Sequence, residues 1–64
     1  MRETELWRRL ERHLGGGYAR SWSAQVSVTG LGSRTVMEAL DAGVPVQDVW
    51  RAVWEALALP ASER

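Results

Sequence analysis

The chain has 64 residues, no cysteine, one histidine and four tryptophans, and its eight Arg balance eight carboxylates to a net charge of zero. That composition excludes disulfide staples, thiolate chemistry and a His-based metal cluster, and so short a chain has little room for a deep pocket. No apolar run approaches the ~18 residues needed to span a bilayer, and the charged N-terminus carries no secretory signal, so the expectation is a cytoplasmic protein with no membrane contact.

The charge is unevenly placed. Residues 1–34 carry six Arg against three Glu, and residues 35–64 carry two Arg against five carboxylates. Oppositely charged helices that attract as they pack are one reading. A basic face for an acidic partner is the other. The excess is small, which favours the first.

The spacing predicts a first helix over residues 4–14, with Thr4 as its cap. Leu6, Trp7, Leu10 and Leu14 share a face, and Glu5, Arg8, Arg9 and Arg12 lie opposite. His13 sits at the edge of the apolar face, where packing or capping explains it better than catalysis, because no sequence neighbour supplies a partner. Gly15-Gly16-Gly17 ends the helix; the phosphate-loop pattern and its Lys are missing.

A second helix is expected over 18–28, with Tyr18, Trp22 and Val26 on one face. Ser21, Ser23 and Ser27 lower its intrinsic propensity, so packing must hold it. The competing reading is a short strand over Gln25 to Thr29, which finds no second strand to pair with. Residues 30–34 read as a tight loop. Two glycines and Arg34 before a helix start suggest an anion site, but the glycine fingerprint is incomplete.

Thr35 and Glu38 form a capping box that opens a third helix over 36–42, and Gly43 ends it. Pro45 suits the start of a fourth helix over 46–58. There Val46, Val49, Trp50, Val53, Trp54 and Leu57 make a wide apolar stripe, with Gln47, Asp48, Arg51 and Glu55 on the other side. Pro60 marks the stop, and residues 61–64 are expected to fray.

The expected architecture is all-α: one domain over 1–64, a small bundle of three to four short helices around a Trp-rich core. The expected core holds Leu6, Trp7, Leu10, Leu14, Trp22, Val26, Leu31, Leu40, Val49, Trp50, Val53 and Leu57. Ala39, Gly43 and Val49 have helix-turn-helix spacing, so the last two helices resemble that motif. Asp48 and Glu55 on its second helix would oppose phosphates.

No catalytic constellation, cofactor motif or metal set is present, so an enzyme is not expected. The leading functional reading is a non-catalytic protein–protein interaction or regulatory module, binding another protein or itself. Its expected contacts are Arg8, Arg9, Arg12 and the exposed part of Trp54. The alternative is a nucleic-acid binder using the Arg face or the helix-turn-helix element. Salt separates them, because phosphate contacts weaken steeply with ionic strength.

Four stretches also carry a family likeness. They are Leu6-Trp7-Arg8-Arg9, Tyr18-Ala19-Arg20-Ser21-Trp22, Gly32-x-Arg34-Thr35-x-x-Glu38-Ala39-Leu40-x-x-Gly43 and Val49-Trp50-Arg51-Ala52. Over essentially its whole length the chain resembles short actinobacterial proteins grouped as domain-of-unknown-function family thirty-forty-six. The resemblance implies an actinobacterial, cytoplasmic, helical protein with no assigned activity. It also implies an association with recombination genes, and so raises a DNA-repair partner. The chain departs from the family pattern at Gln25-Val26, where an Asp-His pair is often seen, and at Gly30, where an acidic residue is.

Overall fold

Leu6 and Leu10, one turn apart, define the inner face of α1 (Glu3–Leu14), and both are fully buried. The computed structural model describes residues 1–63. After α1 come α2 (Gly16–Gln25), α3 (Val36–Asp41) and α4 (Val46–Ala56), with 3-10 turns at Thr29–Leu31 and Ala61–Glu63. The fold is all-α. α1 packs on α2 and α4, α3 packs on the same two helices, and the first 3-10 turn packs on α4.

The start of α1 differs from expectation. Its N-cap is Arg2, whose side chain makes no capping bond, and Thr4 lies inside the first turn. Glu3 and Glu5 in that turn, with Arg12 and His13 in the last, complement the helix dipole instead.

The expected break at three glycines takes only one. Gly15 adopts φ 89°, and Gly16 and Gly17 already belong to α2. The helix therefore spans 16–25 and not 18–28. Its buried face is Ala19, Trp22 and Ser23, so Tyr18 is turned outward and more than half exposed. Ser23 Oγ is fully buried, with no hydrogen-bond partner among the described residues. An unpaired buried hydroxyl costs about 1–3 kcal/mol, and Ala is the better helix former. Ser23→Ala is expected to raise unfolding stability by roughly 1 kcal/mol. Urea denaturation followed by circular dichroism checks this; a loss of stability would mean the hydroxyl has a partner in solution.

After Gln25 the chain is extended, and here the competing strand reading is partly right. Val26 caps α2 with φ −91° and ψ 119°, and is 37% exposed. Val28 is the buried residue, and it pairs antiparallel with Arg34 in an isolated bridge. Val28 N–H donates to Arg34 O (2.9 Å), while Val28 O accepts from Leu31 and Ser33. One residue on the far side of a 3-10 turn thus replaces the missing second strand. β-Branched residues favour this extended geometry over a longer helix.

The α3–turn–α4 region matches its sequence signals. Thr35 Oγ1 accepts from Glu38 N–H (3.1 Å), and Thr35 N–H donates to the Glu38 carboxylate (2.8 Å). That carboxylate takes an N-terminal donor an outside anion would need. Gly43, at φ 86°, ends α3 in a Schellman motif: Gly43 N–H donates to Leu40 O and Val44 N–H to Ala39 O. Ala39 and Val49 are fully buried on either side of this turn.

α4 ends with the same motif, but Ala58 holds the left-handed position at φ 53°. Ala58 N–H donates to Glu55 O and Leu59 N–H to Trp54 O. A Cβ at that φ costs about 1–2 kcal/mol, partly offset by the higher unfolded-state entropy of Gly. Ala58→Gly is therefore expected to stabilise the fold by about 0.5–1 kcal/mol, read as a higher midpoint in thermal melting.

The core corrects the sequence reading in one direction. Leu6, Leu10, Trp22, Leu31, Val49, Trp50 and Val53 are buried as expected. Trp7, Leu14, Leu40 and Leu57 are only partly buried at its margin, and Val26 is outside it. Small residues and two further valines take the space: Ala19, Val28, Val36, Ala39 and Ala52. The C-terminal segment corrects it too. Residues 61–63, expected to fray, form an ordered turn; Arg64 lies outside the described residues.

Candidate partner-binding site

The polar side of α1 carries the sequence-predicted arginines, and their spacing brings them together with Glu5. Arg8 Nη1 lies 3.1 Å from Glu5 Oε2, and Arg9 Nε lies 3.4 Å from Glu5 Oε1. Arg12 Nη1 approaches Glu63 at 3.8 Å. The face is therefore laced with carboxylates. Arg8 and Arg12 remain largely exposed, while Arg9 is drawn inward so that its guanidinium lies 5.4 Å from the Trp50 ring centroid.

Trp54 sits on α4, partly buried, and its indole N–H donates to Pro60 O (2.9 Å). It anchors the residues that follow α4. The four predicted contact residues do not form one exposed patch: Arg8 points to solvent, and Arg9, Arg12 and Trp54 lie along the C-terminal segment.

A second surface was not read from the sequence. α1, α2 and α3 converge on an open groove of about 800 Å³. Trp7, Met37 and Leu40 line it, all three only partly buried, and Glu3, Arg20 and Asp41 rim it. The Trp7 indole N–H points to Glu3 Oε1 at 3.4 Å, and the Arg20 guanidinium stacks 4.6 Å from the Trp7 centroid. These contacts hold a ring that is only partly buried. The sequence reading placed Trp7 and Leu40 in the core, and both are only partly buried at its margin.

The exposed side of α4 lies near the first 3-10 turn. Asp48, Arg51 and Glu55 line a hollow of about 390 Å³ with Gly30, Leu31 and Val44. A Cβ on Gly30 would stand 3.1 Å from Ala52 Cβ, so this glycine lets the turn press against α4. Two of the three charged residues here are carboxylates, the arrangement least suited to a DNA backbone. Among the described residues no group of three or more His, Cys, Asp or Glu is placed to hold a metal, and no helix is long and apolar enough to cross a membrane.

A family model described as Protein of unknown function (DUF3046) matches residues 1–62. The chain belongs to this family. No curated protein and no solved structure matches it. The DUF3046 match spans the Trp7–Met37–Leu40 groove and the α1 arginines, and stops one residue short of Glu63. It assigns neither a role.

Proposed function

We propose that this DUF3046 protein is a non-catalytic protein-binding module whose docking surface is the groove between α1, α2 and α3. The observation that carries the reading is the groove itself: Trp7, Met37 and Leu40 lie side by side, partly exposed, within a charged rim. An aromatic residue and two flexible apolar ones at the centre of a polar rim is the usual anatomy of a protein interface. Met adapts to the shape of a partner, and a ring held by Arg20 loses little entropy on binding.

The groove suits an apolar segment of another protein that carries a basic residue. Glu3 and Asp41 would meet that residue, while Arg20 is engaged with Trp7. The nucleic-acid reading has less support. Arg8 and Arg9 each lie within 4 Å of Glu5 on the same helix, which a phosphate would have to displace.

The test is capture of partners from host lysate by the tagged protein, with and without nuclease, using the natural chain and Met37→Glu. Met37 is at the surface of α3, so the variant is expected to fold, which circular dichroism checks. Partners that survive nuclease and are lost with Met37→Glu support the groove. Partners that vanish with nuclease, or that bind Met37→Glu equally well, sink it.

A further inference from the structure

Residues 61–63 have no buried side chain of their own, although Leu57 and Leu59 just before them pack against the core. Residues 61–63 form a single 3-10 turn in which Glu63 N–H donates to Pro60 O (2.9 Å). Ala61 and Ser62 are exposed. The turn is held from outside by two polar ties. Trp54 grips Pro60 O, and Glu63 Oε1 lies 2.8 Å from His13 Nε2 and 3.8 Å from Arg12 Nη1.

The receiving side is a built cradle. Its floor is Trp50, only 2% exposed. His13 stacks on that ring at 6.1 Å between centroids and 27° between planes, and the Arg9 guanidinium lies over the same ring at 5.4 Å. Stacking on a buried ring restricts two side chains that would otherwise sample many rotamers. Much of the ordering cost of gripping a carboxylate is thus met before it arrives. Arg9, Arg12 and His13 follow i, i+3, i+4 spacing, so one helix face aims them all at the same place. Between them and the turn lies a hollow of about 260 Å³ lined by Glu5, Arg9, Arg12, Ser62 and Glu63.

We infer that this cradle is a receptor for an acidic peptide segment of a partner protein, and that Glu63 occupies it in cis. The chemistry is set by what already sits there: a carboxylate on a short turn after a proline. The tail is suited to being displaced. Residues 61–63 form one 3-10 turn without buried side chains and are held by partly exposed ion pairs, which are individually weak. A partner segment with the same carboxylate and more contact area would exchange with it. None of the cradle residues lines the floor of the Trp7–Met37–Leu40 groove, so the inference stands or falls separately from the groove.

Occupation in cis has a measurable consequence. If the tail closes the cradle nine-tenths of the time, an outside carboxylate binds the natural chain about tenfold more weakly than an open one. The probe is a peptide copying residues 57–63 (Leu-Ala-Leu-Pro-Ala-Ser-Glu), blocked at both ends and fluorescently labelled. It is titrated into the full natural chain and into full-length Glu63→Gln at low salt. Glu63→Gln is expected to bind about tenfold more tightly than the natural chain. A probe ending in Gln is expected to bind neither, and adding His13→Ala to Glu63→Gln is expected to abolish binding. Binding should also weaken as salt is raised. A folded Glu63→Gln protein that binds the probe no better than the natural chain would show that Glu63 only ties down the tail. A natural chain that doubles its mass on concentration, and loses this with Glu63→Gln, would make a second copy's tail the occupant and overturn the assignment to another protein.

Discussion

Trp50→Ala is expected to remove most of the folding stability. The residue is 2% exposed, at the junction of α1 and α4, with Leu10, Val49 and Val53 in the same core. Truncating a buried Trp to Ala costs roughly 3–5 kcal/mol through lost burial and the cavity left behind. A chain of this length has only about 3–10 kcal/mol in total. The ring is also the surface on which Arg9 and His13 stack, so its loss frees both side chains and loosens the hold on Glu63. Urea titration followed by circular dichroism is expected to show a midpoint below half the natural value, or no folded baseline at 25 °C. A loss under about 1 kcal/mol would mean that the neighbours collapse into the cavity and that Trp50 does not hold α1 to α4. Trp54 provides the contrast. It is only partly buried, so Trp54→Ala should cost distinctly less, mainly by releasing Pro60.

The residues that were legible from sequence are those whose structure is set by near neighbours. Thr35 and Glu38 are three apart and cap each other; Gly43 follows directly on the helix it ends; the α4 stripe repeats at helical period. Misread elements depend on distant partners. Val28 enters the core, and Val26 does not, because Arg34 pairs with Val28 across a 3-10 turn. Gly30 reads as a loop residue until α4 brings Ala52 within contact of it. Residues 61–63 look like a fraying end because their ties, Trp54 to Pro60 O and His13 to Glu63 fifty positions away, leave no local pattern. The candidate site divides the same way. The arginines of α1 were visible, and so was Glu5, three and four positions before Arg8 and Arg9. That spacing predicts the neutralising pairs the structure contains. The groove was not visible, because it needs Trp7 from α1, Arg20 from α2 and Leu40 from α3 at once.

Trp22→Ala tests whether α2 has any stability of its own, and the expected answer is that it has none. The helix is ten residues long, below the ~12–15 at which isolated helices become even marginal. It opens on Gly16-Gly17, each about 1 kcal/mol worse than Ala where it is helical, and it contains Ser21 and Ser23. Neither of its ends has a side-chain cap bond to compensate. Ala19 and Trp22 on its buried face must therefore hold it, and Ala19 is small. Removing the Trp22 side chain is expected to cost roughly 3–5 kcal/mol, as for Trp50, but with a different consequence for binding. α2 carries Arg20, which stacks on Trp7, and α1 and α3 both pack on α2. Loss of α2 would thus dismantle the groove. In a domain this small the loss is expected to spread to the whole fold in one cooperative transition. The measurement is hydrogen exchange with circular dichroism on Trp22→Ala. Loss of protection in α1, α3 and α4 together with α2 is the expected result. Fast exchange confined to residues 16–25, with α1 and α4 still protected, would instead make α2 a separate unit that opens on its own. In that case the groove, and any partner held there, would depend on how often α2 is closed.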